Sequence, residues 1–185
     1  MAIIDLETAE VESVKSLGFK AWDSASGNQL DASNKDGIVG NFASYEQLVG
    51  LYMPDTITSY SVDGEIYIVS ANEGDGREYI YESTQQTCDT AGHSWAGDDF
   101  FGTSDYSVEL DDCISFTDEA RGDDLTVADG HPLQADLQDD DILGRIKVIF
   151  DSSTIAANEV VKTFGARSFS IWNSDIELQF DSGDQ

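Results

Sequence analysis

An all-β fold is predicted, with antiparallel blades of the kind found in a partial β-propeller and one long excursion tied by a disulfide. Three observations carry it. Residues 57–62 and 65–70 are two short β-prone runs joined by Asp63-Gly64. Asp-Gly is the favoured pair of a two-residue type I′ turn, because both central positions need a positive φ. Near the C-terminus, residues 145–150, 159–164, 168–172 and 176–180 follow one another across short turns. Four such strands make a meander of the size of one propeller blade. Between these regions Cys88 and Cys113, the two cysteines of the chain, bracket a stretch rich in Gly, Asp and aromatic residues.

Taken in order, residues 2–6 read as a strand, 7–10 as a turn and 11–17 as the returning strand. Glu, Ala and Leu are good helix formers, so a helix over 6–17 is the competing assignment. Residues 22–50 carry Gly, Asn, Ser and Asp with little periodicity, and 45–49 read as one helical turn. Met53-Pro54-Asp55 precedes the first central strand; proline fixes its own φ and keeps its predecessor extended. The second central strand runs out into Ala71-Asn72-Glu73-Gly74-Asp75-Gly76-Arg77-Glu78, with two glycines, three carboxylates and an arginine. This is either an ordinary solvated turn or a polar loop delivered to a site by a rigid hairpin.

Residues 80–144 form the excursion, within one domain spanning 1–185 or a piece of a larger one. Asp98-Asp99-Phe100-Phe101 and Asp105-Tyr106 interleave charge with aromatics there, and 116–121 with 123–125 read as a helical stretch over a sheet edge. A structureless loop of this length is disfavoured, so short elements are expected inside it. The cysteine pair fits one disulfide, worth roughly 3–4 kcal/mol by loop closure. Two buried, reduced thiols are the alternative. There is no CxxC and there are too few thiols for a metal cluster.

Charge bounds the function. Thirty-seven acidic residues face nine basic ones, for a net charge of −28. That excludes nucleic acid, whose phosphates demand Lys and Arg, and an anionic membrane surface. Self-repulsion on this scale is relieved by salt, by bound cations or by a partner. No apolar run is long enough to span a bilayer, and the start lacks the basic and apolar segments of a signal peptide. Both ends read as cut, as in a fragment of a longer chain.

Candidate cation ligands are Asp31 and Asp36, with Ser33 or Asn34, in a loop that Gly37 allows to bend, and Glu73 and Asp75 in the loop after the hairpin. Calcium or another divalent cation is the cofactor such oxygen donors would take. The spacing misses the EF-hand pattern, and a solvated Asx-turn loop is the plainer reading of 31–37. Arg77, Arg121 and Arg167 stand out in so acidic a chain, as anion binders or as structural ion pairs. No catalytic residue is identified. His93 and His131 align with no nucleophile, and neither G-x-S-x-G nor a phosphate-binding glycine pattern occurs.

The segments LYMPDTITSY, ANEGDGREY, EARGDDLTV, LGRIKV and FGARSFSIWN, in this order, resemble the choice-of-anchor I family. This is a secreted or cell-surface β-propeller group with alkaline-phosphatase-like and mesenchyme-specific cell-surface glycoprotein members. The resemblance implies that the chain matches a central portion of a longer propeller. The family's ANEGDARDY-like turn falls on residues 71–79 and carries over Glu73, Asp75 and Arg77. Its EARVKDLTLD-like segment begins at Glu119 and retains Arg121, with Gly122-Asp123 replacing Val-Lys. Its FGARSFSIWD pattern falls on 164–173 and retains Arg167, with Asn173 in place of Asp. The turn at 151–158 is short and loses carboxylates.

Two functions are therefore expected in competition. One is a non-enzymatic, cation-stabilised extracellular or cell-surface module (periplasmic or lumenal settings also suit it). The other is metal-dependent phosphoester hydrolysis, with Glu73 and Asp75 on the ion and the arginines on a phosphoryl group. Open blade edges add a third expectation, self-association or a partner protein that completes the propeller.

Overall fold

The computed structural model describes residues 1–97, 111–149 and 154–183. Sixteen strands occur in it. β1 (Ala2–Ile4) and β2 (Val11–Val14) pair antiparallel, which settles the strand-or-helix question at the N-terminus. β3 (Phe19–Ala21) and β4 (Leu48–Leu51) follow, then β5 (Thr56–Val62) and β6 (Glu65–Ala71). Asp63 and Gly64 both take positive φ, 53° and 88°, so the turn chemistry read from the sequence holds. The expected helical turn at 45–49 is a correction. Gln47 sits at φ 64°, and Leu48 and Val49 are buried as part of β4.

Contacts divide the chain into two units, residues 1–75 with 121–185, and residues 76–120. In the smaller unit, β7 (Glu78–Ser83), β8 (Ser94–Gly97) and β9 (Asp111–Thr117) form a three-stranded antiparallel sheet of order β7-β9-β8. A short helix, α1 (Gln85–Ala91), starts at Thr84, whose Oγ1 accepts from the Thr87 amide, and stops at Gly92 in the left-handed region. Cys88 on α1 and Cys113 on β9 are both buried and form a disulfide. The charge–aromatic segments at 98–101 and 105–106 lie outside the described residues. The helical stretch expected at 116–125 is instead the end of β9, then β10 (Glu119–Arg121) and a single 3-10 turn at Gly122–Asp124.

The remaining strands are β11 (Thr126–Val127), β12 (Lys147–Ile149), β13 (Thr154–Ile155), β14 (Val161–Thr163), β15 (Phe169–Asn173) and β16 (Leu178–Asp181). They do not form one meander, which corrects the expectation. β12 and β14 join β4 and β3 in a sheet of order β10-β12-β14-β4-β3, with β14 parallel to β4. β15 and β16 join the central hairpin in an antiparallel sheet of order β16-β15-β6-β5. The chain changes sheet between β14 and β15 because Gly165 (φ 72°) and Arg167 (φ 47°) turn it sharply. Of the run expected at 145–150, Phe150 lies outside the described residues, as do 151–153. Most pairings are antiparallel, and among the described residues no sheet closes into a barrel or propeller ring.

The core of the larger unit gathers Trp22, Leu48 and Val161 from the mixed sheet with Leu133, Leu137 and Leu143 from the turns around the 3-10 segment at Asp136–Gln138. A buried polar chain runs beside it. Trp172 Nε1 donates to Ser70 Oγ at 2.8 Å, and Ser70 Oγ donates to Asn72 Oδ1 at 2.8 Å. Asn72 Nδ2 reaches Ser170 Oγ at 2.7 Å and Ser168 Oγ at 3.1 Å, and both hydroxyls donate to Asp181 Oδ2. Asp181 Oδ1 pairs with Lys20 Nζ at 2.8 Å. Each buried polar atom in this chain thereby gains a partner, which is the condition for tolerating it in the interior.

Candidate cationic cavity

Two turns singled out in the sequence pack directly on one another. The Asn72 carbonyl accepts from the amides of Ala166 (2.9 Å) and Arg167 (3.2 Å), and the Asn72 amide donates to the Ser168 carbonyl at 2.8 Å. At Gly74, an added Cβ would lie 2.2 Å from the Gly165 nitrogen. Only glycine allows backbones this close.

A cavity of about 290 Å³ opens where these turns meet the mixed sheet. Arg121, Arg145, Lys147 and Arg167 line it, four of the nine basic residues in the chain. Asp75 is the one acidic residue among its described walls; Trp22, Leu30, Ile146 and Phe164 supply apolar surface. Arg121 ends β10, and its Nη1 donates to the Arg145 carbonyl at 2.9 Å. Gly122 beside it is buried where a Cβ would meet the Leu143 carbonyl at 2.6 Å. Arg145 lies in the turn that leads into β12 and Lys147 begins the strand, with Ile146 between them also in the wall. Arg167 Nη1 donates to the Asp31 carbonyl at 2.8 Å. The ion pairs Lys20–Asp181 and Arg77–Asp118 use basic residues outside this cavity. Trp22 is 1% exposed, and its indole N–H has no acceptor among the described residues.

The three arginines read together from sequence thus separate. Arg121 and Arg167 share this cavity. Arg77 lies in the smaller unit, where its Nε meets Asp118 Oδ2 at 2.8 Å and its amide meets Asp118 Oδ1 at 2.6 Å. Those contacts hold the Asp118 carboxyl below its ordinary value, the Arg77 amide first and its side chain second. Arg145, Lys147 and Trp22 were not singled out in the sequence. The closeness of Arg145 and Lys147 in LGRIKV was the available signal, although Arg145 lies in the turn before β12.

The candidate cation ligands fall in two places. Asp31 Oδ2 accepts from the Gly40 amide at 3.1 Å, while Asp36 accepts from the Ile38 amide at 3.0 Å and from Asn41 Nδ2 at 2.8 Å. The Ile38 amide, then Asn41, lowers the Asp36 carboxyl below its usual range. Glu73, Asp75 and Asp55 border a second depression of about 470 Å³ that shares Gly74 and Asp75 with the cationic cavity. Among the described residues no three His, Cys, Asp or Glu side chains converge to hold a metal.

The choice-of-anchor I domain model matches residues 1–185. The chain belongs to the choice-of-anchor I family. A relative is the mesenchyme-specific cell surface glycoprotein of Strongylocentrotus purpuratus, 45% identical over 60 residues. That stretch is 31% of this chain and 7% of the glycoprotein, so the chain spans a small part of its relative's length. No solved structure matches the family member described here. No helix among its described residues is long and apolar enough to cross a membrane.

Proposed function

We propose that this choice-of-anchor I chain is a non-enzymatic recognition module of an extracellular or cell-surface protein, and that the cationic cavity is its binding site for an anionic group. One observation carries the reading: a chain of net charge −28 places four of its nine basic residues around a single cavity. Gathering like charges costs Coulomb energy that an anion offsets, most effectively in a recess with low-dielectric walls. Arginine forks suit carboxylate, sulfate and phosphate oxygens alike. The extracellular setting is supported by the Cys88–Cys113 disulfide and by the cell-surface name of the relative. In this reading the four-stranded antiparallel sheet is one blade of a β-propeller, completed by other sheets of the full protein or by a second copy.

The test is calorimetric titration with inorganic sulfate at constant ionic strength. Saturable binding that Arg145→Ala/Lys147→Ala abolishes supports the module; no heat beyond the chloride control from sulfate or from phenyl sulfate rejects it.

Metal-assisted phosphoester hydrolysis is favoured by one observation, the position of Asp75 on the border of both the cationic cavity and the acidic depression. Its donors would be Glu73 and Asp75, and because the described carboxylates do not converge there, no step is routed through a metal. Turnover of para-nitrophenyl phosphate that needs a divalent ion and disappears in Asp75→Asn would favour this second reading over the first.

A further inference from the structure

We infer that the ligand of the cationic cavity is a compact organic anion, with one carboxyl, sulfuryl or phosphoryl group on an apolar body. This rests on the anion-binding reading above and narrows it. The first ground is size. About 290 Å³ is near the lower end of small-molecule sites, about 300–1,000 Å³. It is roughly ten times the ~30 Å³ share of one water, so a bare oxoanion would leave most of the cavity to solvent.

The second ground is the wall. Trp22, Leu30, Ile146 and Phe164 stand in the same lining as the four cations. A body with apolar surface gains by leaving water against the half-buried Ile146 and Phe164, while the anionic group takes the guanidinium donors. Trp22 also lines the cavity, and its buried indole N–H, without an acceptor among the described residues, is a reporter of what enters.

Charge supplies the third ground. Arg121, Arg145, Arg167 and Lys147 outnumber the one carboxylate, Asp75, among the described walls. Beyond them the chain holds 36 acidic residues (37 minus one) and five basic ones (nine minus four). A polyanion extending out of the cavity would meet that negative field, whereas one group of one or two charges is neutralised inside it.

The test titrates the whole chain with acetate, sulfate, benzoate, phenyl sulfate, phenyl phosphate and heparin at constant ionic strength, following heat and the indole ¹H–¹⁵N resonances. The phenyl-bearing anions are expected to bind about tenfold or more tighter than acetate or sulfate, and the best of them identifies the head group. One indole signal, missing in Trp22→Phe, should shift on binding. Arg145→Ala/Lys147→Ala, which leaves the core side chains in place, should lose binding while the chain still unfolds in a cooperative transition. Sulfate binding as tightly as the phenyl anions overturns the ligand class and leaves the anion site standing. Heparin binding tightest overturns the single-group argument. Binding that persists in the double variant, or no binding of any probe, overturns the site itself.

Discussion

Gly165 and Glu73 are in such close contact that a Cβ on Gly165 would lie 1.5 Å from the Glu73 carbonyl oxygen. The contact joins the turn after β6 to the turn after β14, and so builds one side of the cationic cavity. Gly165→Ala therefore cannot be absorbed by a side-chain rotation; a backbone has to move. We expect a loss of at least about 3 kcal/mol in urea unfolding, with loss of anion binding. Gly183→Ala is the control. It has a similar φ of 73° and nothing within 4 Å of an added Cβ, so its cost should be the conformational one alone, about 1–2 kcal/mol.

Acid should act through Asp181. Burial works to raise its carboxyl, and the bonds from Lys20, Ser168, Ser170 and the Gly183 amide outweigh that and hold it below the ordinary value. A depressed folded-state value contributes stability that is fully present above the unfolded value of about 3.9, and that stability is lost as pH falls through the folded one. Asp181→Asn should therefore flatten the pH dependence of stability below about pH 4. At neutral pH it should also cost on the order of 3 kcal/mol, because Lys20, 3% exposed against 14% for Asp181, is left buried without a countercharge, on the Ala166 and Gly183 carbonyls alone. Urea midpoints measured between pH 2 and 7 check both limbs.

Arg77 should behave unlike Arg121 and Arg167. Its side chain is 68% exposed and its ion pair with Asp118 lies in the smaller unit. Arg77→Ala should leave both the melting temperature and anion binding close to wild type. Arg121→Ala and Arg167→Ala should each weaken binding several-fold in the same titration.

The Cys88–Cys113 bridge ties α1 to β9 inside the smaller unit. Cys88→Ser/Cys113→Ser should cost about 2–5 kcal/mol. Hydrogen exchange should quicken at residues 78–83 and 111–117, where β7 pairs with β9, while the β5–β6 hairpin keeps its protection.

Salt should stabilise the protein, since 37 acidic residues face nine basic ones. In a protein of 150–250 residues, each kcal/mol of repulsion screened raises Tm by about 2–4 °C. Sodium and calcium chloride at equal ionic strength should act alike at the 31–40 loop, whose carboxylates already accept from the loop's own donors. A calcium-specific rise removed by Asp31→Asn/Asp36→Asn would place a cation there instead.

Local chemistry settled several features before any tertiary contact was known. Asp63-Gly64 carries its own turn geometry, a pair of cysteines has one possible partner each, and a charge of −28 is a property of composition. The family could also be read from ordered segments. What the strands at 147–149, 161–163 and 169–173 pair with was decided only in three dimensions. Every strand edge offers the same amide and carbonyl groups, so short runs with tight turns look like one meander whether or not they share a sheet. Parallel pairing of β14 with β4 and the interlocked glycines at 74 and 165 broke that meander in two. The same contacts decided which cations meet. Arg121, Arg145, Lys147 and Arg167 come together because burial of Val148, Val161 and Thr163 fixes β12 and β14 and the turns beside them, and the packing energy that does so depends on residues far apart in the chain.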